Sequence, residues 1–146
     1  MQVDFYHLTL RPLDRALPQI AEKVLAGGGR LLVVSGDAEQ RAAIDRLLWT
    51  YAPDSFLPHG QAGQGDDALQ PVLISPDADV AVNAAAMVAI IDGSWREAAL
   101  AFDRAFHFFD DDSVIAARDA WRGLSGREGV ERRYWKQTPR GWEQAA

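Results

Sequence analysis

The segment RLLVVSGDAEQRAAIDRLLWTYAP (residues 30–53) holds a strand, a turn and an amphipathic helix in direct succession. Its first six residues form a short continuous apolar run, which is typical of a strand covered on both faces of a sheet. Asp37 follows the turn as a helix N-cap, with Gln40 three residues later as an approximate capping box. The helix after it has one apolar stripe and is expected to end at Pro53. A strand that leads directly into a helix predicts an α/β fold.

The same alternation of strand and helix continues through most of the chain. The segment RAFHFF (residues 104–109) fits either the continuation of a helix or a strand, and its dense aromatic residues favour a strand. Asp112 or Ser113 is expected to cap the last helix. In chain order the predicted elements are a strand at 3–8, a helix at 13–25, a strand at 30–35, a helix from 37, strands near 56–59, 72–75 and 87–91, a helix at 94–102, a strand at 104–109, a helix at 114–124 and a terminal hairpin between Trp135 and Trp142.

This order predicts a single three-layer α/β domain over residues 1–146, with a mainly parallel sheet, helices on both faces and a C-terminal hairpin. The composition, with 48% hydrophobic and 25% charged residues, is that of a soluble globular protein. No apolar run is long enough to span a membrane, and the N-terminus does not resemble a signal peptide. The absence of cysteine fits a reducing compartment, and we expect a cytoplasmic protein.

Charge is distributed unevenly along the chain. Residues 118–146 carry 7 basic and 4 acidic side chains, whereas residues 1–117 carry 8 basic and 17 acidic ones. This difference is either ordinary variation among surfaces or the mark of a C-terminal region that meets an anionic partner. The acidic body argues against a protein that coats duplex DNA, because phosphate binding needs a broad basic face.

The glycine-containing turns do not match a phosphate-binding loop. The turn after the second predicted strand, Ser35-Gly36-Asp37, has one glycine and ends in a carboxylate that would repel phosphate. Gly60, Gly63 and Gly65 have the reverse spacing of the dinucleotide motif and precede no helix. We therefore expect no nucleotide cofactor, and a small nucleotide-binding enzyme on a related fold is kept as the alternative.

No arrangement of residues indicates catalysis or metal binding. His7, His59 and His107 are each alone in their segments, without the spacing of metal ligands. The cluster at residues 110–112 has three aspartates directly before a helix, which is typical of helix capping. No serine stands in a G-x-S-x-G context. The residues therefore give no indication of a catalytic site.

The last predicted helix carries a candidate binding site made of Arg118, Trp121 and Arg122. Positions i, i+3 and i+4 lie on one helix face. Two guanidinium groups beside an aromatic ring suit a short peptide that inserts an apolar residue and ends in a carboxylate, because arginine binds carboxylates in a bidentate manner. The alternative is an ordinary amphipathic helix, with Trp121 in the core and both arginines in solvent.

A second candidate surface contains Trp49 and Phe56, seven residues apart at the end of a helix and the start of the next strand. Large aromatic side chains in this position suit a docking surface for a partner protein. They equally suit the packing of a helix end against a strand. The sequence alone leaves both interpretations open.

The stretch LLWTYAPDSFLPHGQAGQG (residues 47–65), followed by PVLIS, resembles the chi subunit of bacterial DNA polymerase III. The matching pieces are Leu-Trp at a helix end, Ser-Phe-hydrophobic-Pro-His, and an Ala-Gly-x-Gly loop. An N-terminal FYHL, an aspartate cluster and ARDAWR (residues 117–122) occur in the expected order. The resemblance covers essentially the whole chain.

The resemblance implies a non-catalytic accessory protein of the clamp-loader complex, with a degenerate mononucleotide-binding fold that lacks a phosphate loop. Such proteins bind the acidic, phenylalanine-ending C-terminal tail of the single-stranded DNA-binding protein, so contact with nucleic acid is mainly indirect. By resemblance, Arg118, Trp121 and Arg122 match the tail-binding positions. Trp49 and Phe56 match the face for a small partner subunit, psi, or for an alternative helicase partner.

This chain departs from the family pattern in two places near the tail-binding positions. Arg122 stands where lysine is common, which keeps the charge. The segment between Ser113 and Arg118 is one residue shorter, so the resemblance transfers no further binding residues from that turn.

Overall fold

The computed structural model describes residues 1–9, 13–51 and 57–146. Within these ranges the chain forms one α/β domain in which eight strands join a single sheet. The strands are β1 (Gln2–His7), β2 (Leu31–Val34), β3 (His59–Gln61), β4 (Val72–Ser75), β5 (Met87–Ile90), β6 (Arg104–Phe109), β7 (Glu131–Thr138) and β8 (Gly141–Gln144). The helices are α1 (Leu13–Ala26), α2 (Ala38–Thr50) and α3 (Val114–Gly123), and short 3₁₀ turns span Asp67–Leu69, Glu97–Ala101 and Asp111–Ser113.

The strands lie in the order β3-β4-β2-β5-β6-β1-β7-β8. Every neighbouring pair is parallel except β7 and β8, which form an antiparallel hairpin. The hairpin turns after Thr138, which pairs with Gly141 across a Pro-Arg dipeptide. The predictions of a mainly parallel sheet and a terminal hairpin are therefore confirmed.

The central strand β2 contributes to two separate cores, because alternate side chains of a strand point to opposite faces. Leu31 and Val33 belong to the core beneath α1 and α2, here called the first core. Leu32 and Val34 belong to the core beneath α3, here called the second core. All four side chains are fully buried. Helices thus cover both faces of the sheet, as the continuous apolar run predicts.

Side chains around the turn between β2 and α2 hold the start of the helix. Asp37 is the N-cap, as predicted, and its carboxylate accepts from the Glu39 amide at 2.9 Å. Gln40 does not complete the capping box. Its side chain instead accepts from the Ser35 hydroxyl at 2.5 Å and donates to the Ile91 carbonyl at 3.0 Å. Gln40 therefore ties α2 to the carboxyl ends of two parallel strands.

The prediction of a helix at residues 94–102 is wrong, because only the short 3₁₀ turn Glu97–Ala101 forms there. Arg96 precedes this turn with an extended backbone. Its guanidinium donates to both carboxylate oxygens of Asp92, at 2.7 and 2.9 Å. This pair fastens the chain to the end of β5, so no regular helix begins at Ser94. Residues 104–109 form a strand, as predicted.

The N-cap of α3 is Ser113, one of the two residues predicted, and its side chain makes no capping hydrogen bond to that helix. A capping box closes the 3₁₀ turn directly before α3. Asp110 accepts from the amides of Asp112 and Ser113, at 3.0 and 3.2 Å. The Ser113 hydroxyl accepts from the Asp110 amide at 3.2 Å, which completes a capping box. The aspartate cluster thus starts a 3₁₀ turn that continues directly into α3.

Two predictions concern residues outside the described ranges: Pro53 as the end of α2, and Phe56 as part of a docking surface. Within those ranges α2 ends at Thr50, and the next strand begins at His59. No helix in the described part of the chain is long and apolar enough to cross a membrane.

Candidate functional site

Helix α3 has one face in the second core and one in solvent. Ala117 is buried in that core, and Trp121 is half-buried beside it. Arg118 and Arg122 are exposed. The three residues predicted as a site therefore share one helix, but the tryptophan and the arginines occupy different environments.

The Trp121 ring is enclosed on several sides by other side chains. The rings of Phe5 and Tyr134 meet it edge to face, with centroid distances of 5.3 and 5.7 Å. The Arg132 guanidinium lies 4.0 Å from its centroid in a cation–π contact. Trp121 is thus largely a packing residue at the margin of the second core, and its ring is only partly exposed.

The two arginines of α3 differ in how their charge is used. Arg122 forms an ion pair with Asp119 one turn earlier on the helix. Arg118 forms no ion pair with any residue in the ranges 1–9, 13–51 and 57–146. An exposed guanidinium without a carboxylate partner is available to an anionic ligand. Arg118 is therefore the arginine of the predicted site that is available to bind an anionic ligand.

Strand β7 contributes two residues to this surface that the sequence pattern did not indicate, Arg132 and Tyr134. Alternate residues of a strand share a face, so Arg132, Tyr134 and Lys136 lie on the α3 side of the sheet. The alternation in ERRYWKQT (residues 131–138) was visible in the sequence. The face that meets α3 is set by the pairing of β7 with β1, which no local pattern reveals.

A hydrogen-bonded group adjoins Arg118 at the carboxyl end of β1. His7 Nε2 lies 2.8 Å from Asp111 Oδ1, and His7 Nδ1 lies 3.3 Å from the Tyr134 hydroxyl. The imidazole also stacks on Phe109 at 4.9 Å. Burial raises the pKa of Tyr134, and the charge of Arg118 opposes this shift. Arg118 is therefore close enough to Tyr134 to act on it electrostatically.

The second predicted surface is only partly within the described residues. Trp49 is 54% exposed at the end of α2, and its ring lies 4.6 Å from that of His59. His59 is buried, with Nδ1 2.6 Å from the Leu57 carbonyl and Nε2 2.9 Å from the Asp45 carbonyl. His59 therefore supports the packing under Trp49, while much of the tryptophan faces solvent.

The turn at Gly36 is where α/β nucleotide-binding proteins hold a phosphate group. Here the Gly36 amide donates to Asp92 Oδ2 at 2.8 Å. Burial raises the pKa of Asp92, but hydrogen bonds from Arg96 and from the amides of Gly36 and Ser94 outweigh burial and lower it to about 2. An ionised carboxylate thus occupies the position of the phosphate.

The depression around this turn has a volume of about 770 Å³ and is acidic. No lysine or arginine lines it among the described residues. Within the same ranges, no group of three or more histidine, aspartate or glutamate side chains could hold a metal ion. The lining carboxylates are Asp37, Asp92, Asp110 and Asp112. This lining disfavours an anionic nucleotide.

His107 is a strand residue that is completely buried within the domain. It is fully inaccessible on β6, and neither ring nitrogen has a hydrogen-bond partner within the described residues. The rings of Phe5, Trp95 and Phe109 surround it, with centroid distances of 5.3, 5.6 and 5.9 Å. Burial lowers the pKa of His107 to about 4. The side chain is thus a neutral part of the second core at pH 7.

Residues 1–131 match the family model of the DNA polymerase III chi subunit, HolC. The chain belongs to this family. The matched region contains Trp49 and all three predicted site residues of α3. It stops at the first residue of β7, so Arg132 and Tyr134 lie beyond it. The family resemblance inferred from the sequence is confirmed.

Two curated relatives are similar to parts of the chain. The probable DNA polymerase III subunit chi of Rickettsia prowazekii (strain Madrid E) is 27% identical over 89 residues, which are 61% of this chain and 54% of the relative. The DNA polymerase III subunit chi of Escherichia coli (strain K12) is 32% identical over 66 residues, which are 45% of each chain. The aligned segments span about half the length of these relatives.

Proposed function

We propose that this protein is a non-catalytic accessory subunit of the DNA polymerase III clamp-loader complex, acting in the cytoplasm during DNA replication. It links that complex to the single-stranded DNA-binding protein by binding the acidic, phenylalanine-ending C-terminal tail of the latter. The observation that carries the proposal is Arg118, an exposed guanidinium on α3 that has no ion pair among the described residues. Membership of the chi family supports it.

The charges around Arg118 favour an acidic peptide over DNA. Arg122 is compensated by Asp119, and Arg132 is engaged with Trp121. One available guanidinium can bind one carboxylate in a bidentate manner, whereas a duplex requires a broad basic face. The net charge of −6 opposes direct binding to DNA. Contact with DNA therefore passes through the coating protein.

A single charge-assisted contact gives a weak interaction, and tethering makes it effective. A tail that is held near the clamp loader rebinds at a high effective concentration, so a modest affinity for one tail is sufficient. Weak individual contacts also allow the link to be released and formed again as the complex moves.

The face around Trp49 is assigned to a second partner, the psi subunit or another clamp-loader or helicase protein. The 54% exposure of this large aromatic side chain supports the assignment, because tryptophan is enriched at the centres of protein interfaces. Phe56 stays a prediction from the sequence. Trp49→Ala is expected to abolish co-purification of the partner subunit from native extract while tail binding is unchanged.

The alternative, a small nucleotide-binding enzyme, is disfavoured by the carboxylates around Gly36. It makes a different prediction for ligand binding. A nucleotide that binds only the folded state raises the free energy of unfolding with the logarithm of the ratio of its concentration to its dissociation constant, and the melting temperature rises with it. We expect ATP and GTP at millimolar concentration to leave the melting temperature unchanged, and a rise of several degrees would favour the enzyme.

Titration of a fluorescently labelled acidic peptide ending in Pro-Phe, followed by anisotropy, tests the proposal. The parent protein should bind at sub-millimolar concentration, and binding should weaken as salt is added. Arg118→Ala should reduce the affinity about 10- to 100-fold, which is the range for loss of a charge-assisted contact.

Arg46→Ala is the matched control, because Arg46 is an exposed arginine on α2, on the other face of the sheet. It removes the same charge and should leave the affinity close to that of the parent. Equal losses in the two variants would show a general charge effect, and the Arg118 site would be wrong. No binding by the parent protein would reject the proposed function.

A further inference from the structure

Ile115 lies in the first turn of α3 and is 73% exposed. An isoleucine in this position keeps most of its surface in contact with water on folding, so packing in the core accounts for little of it. Helical spacing places Arg118 three residues and Arg122 seven residues further along the same side. The outer face of α3 therefore presents one branched apolar side chain directly beside the arginine that has no ion pair among the described residues.

The contacts of Trp121 limit what this ring can offer to an apolar ligand. Phe5, Tyr134 and Arg132 already pack around it, at 5.3, 5.7 and 4.0 Å. An apolar group that arrives with a carboxylate bound to Arg118 finds most of the Trp121 ring covered. Ile115 is the large apolar side chain next to Arg118 that remains open to solvent.

The charges along the helix determine how an acidic peptide can lie on it. Asp111 precedes α3 and its side chain is 83% exposed, so it repels carboxylates at the N-terminal end of this face. Arg118 lies on the following turn without an ion pair among the described residues, whereas Arg122 is already paired with Asp119. A carboxylate is therefore favoured at Arg118, and an apolar side chain is favoured against the first turn, at Ile115.

We propose that Ile115 is the apolar contact of the tail-binding surface and determines its preference for a peptide with a large apolar terminal residue. The acidic peptide lies along the outer face of α3, with a carboxylate on Arg118 and its apolar side chain against Ile115. This inference rests on the proposed function. It adds a specificity-determining residue in the turn from which the family resemblance transfers none.

The experiment compares two peptides on two proteins. One acidic peptide ends in phenylalanine and the other is identical except for a terminal alanine. Ile115→Ala should weaken the phenylalanine peptide about fivefold, because a few apolar carbons lose a buried contact. The alanine peptide should bind the parent and the variant equally, so the preference for phenylalanine falls by the same factor. Alanine keeps the helix intact, and the melting temperature should not fall.

Leu69→Ala is the matched control, since Leu69 is 70% exposed in a 3₁₀ turn before β4, outside α3. It should change the affinity for neither peptide. If Ile115→Ala leaves both affinities unchanged while Arg118→Ala abolishes binding, the Ile115 contact is wrong and the proposed function stands. Equal weakening of both peptides by Ile115→Ala also overturns the contact. If the parent binds neither peptide, both the contact and the proposed function are rejected.

Discussion

The guanidinium of Arg132 lies 4.0 Å from the centroid of the Trp121 ring, and its Nη1 donates to the Trp121 carbonyl at 2.5 Å. One side chain on β7 thus holds both the ring and the backbone of a residue on α3. This carbonyl belongs to the last turn of the helix, where carbonyls lack helical amide partners. Arg132 therefore acts as a C-terminal cap supplied by another element.

Removal of this cap should destabilise the protein. We expect Arg132→Ala to lower the free energy of unfolding by about 1–2 kcal/mol, through loss of the cation–π contact and of the hydrogen bond to the carbonyl. Arg132→Lys should recover part of this loss, because an ammonium group keeps the charge but not the planar fork. Urea denaturation followed by circular dichroism measures both values.

Arg133→Ala is the control for Arg132. Arg133 is the next residue of β7, points to the opposite face and pairs with the exposed Glu131 at 2.9 Å. Surface ion pairs of this kind contribute little, so the unfolding midpoint should stay near that of the parent. An unfolding curve of Arg132→Ala that superimposes on that of Arg133→Ala would contradict the capping role.

His107 should make the protein sensitive to acid between pH 6.5 and pH 4. Burial lowers its pKa to about 4, with Asp92 opposing and Arg96 adding to the shift, whereas the unfolded chain has a histidine pKa near 6.5. The unfolded state therefore takes up the proton first as the pH falls. The contribution of neutral His107 to the free energy of unfolding is present above pH 6.5. About 2.5 kcal/mol of this free energy is lost by pH 4.5.

His107→Phe tests this pH dependence, because phenylalanine keeps an aromatic ring against Phe5 and Trp95 and cannot titrate. The measurement is the free energy of unfolding at pH 7 and at pH 4.5 in both proteins. The loss between these two pH values should be smaller in the variant by about 2.5 kcal/mol. Equal losses would mean that His107 becomes charged in the folded state without penalty.

Asp4 is a fully buried carboxylate that depends on Arg104. It accepts from Arg104 Nε at 2.8 Å, from Trp135 Nε1 at 3.0 Å and from the Gln2 side chain at 3.0 and 3.2 Å. Arg104→Met should lower the free energy of unfolding by about 2 kcal/mol. Breaking a fully buried ion pair costs more, ~3–5 kcal/mol, but Arg104 is partly exposed.

A double-mutant cycle with Asp4→Asn separates the ion pair from the packing of the arginine. In the Asp4→Asn background no buried charge is left behind, so Arg104→Met should cost clearly less. Urea denaturation of the four proteins gives the coupling energy. A coupling energy of zero would show that Arg104 stabilises the protein through contacts other than the ion pair, such as that with Phe106.

Gly93 allows the close approach of two segments at the start of α3. Its φ is +76°, and a Cβ atom there would lie 2.7 Å from the Ser113 hydroxyl, which closes the capping box. Gly93→Ala should lower the free energy of unfolding by about 2 kcal/mol or more, because alanine is strained in the left-handed backbone conformation and its Cβ displaces Ser113.

Gly126→Ala is the control for the backbone effect, because Gly126 has φ +70° and open space around its Cα. It should cost only about 1 kcal/mol. Thermal unfolding of both variants gives the difference, which reports the contact with Ser113. If the two variants melt together, the capping box does not depend on glycine at position 93.

Features that depend on neighbouring residues were predictable from the sequence. The apolar run of β2, the cap at Asp37 and the strand 104–109 are all present as expected. The error at residues 94–102 has a different origin. Ser94 and Glu97 have the spacing of a capping box, but the ion pair of Arg96 with Asp92 competes with the helix. A local signal was overridden there by a side chain that bonds back to the preceding turn.

The candidate site likewise combines features that were predictable from the sequence with features that depend on the tertiary structure. The sequence identified α3 and its Arg118, Trp121 and Arg122, and the turn of an α-helix is enough to place them on one side. It could not distinguish an arginine without a partner from a paired one, because that depends on where Asp119 and the other carboxylates lie. It also missed Arg132, whose contact with Trp121 exists only because β7 joins β1 beneath α3.

Short-range patterns thus established the α/β class, most of the order of the elements and the chi family, since hydrophobic periodicity and capping act over a few residues. The tertiary structure alone decided which side chains stay available to a ligand. It encloses the Trp121 ring, leaves Ile115 and Arg118 in solvent and fills the phosphate position with Asp92. The physical reason is that exposure and ion pairing arise from contacts between strands and helices far apart in the chain.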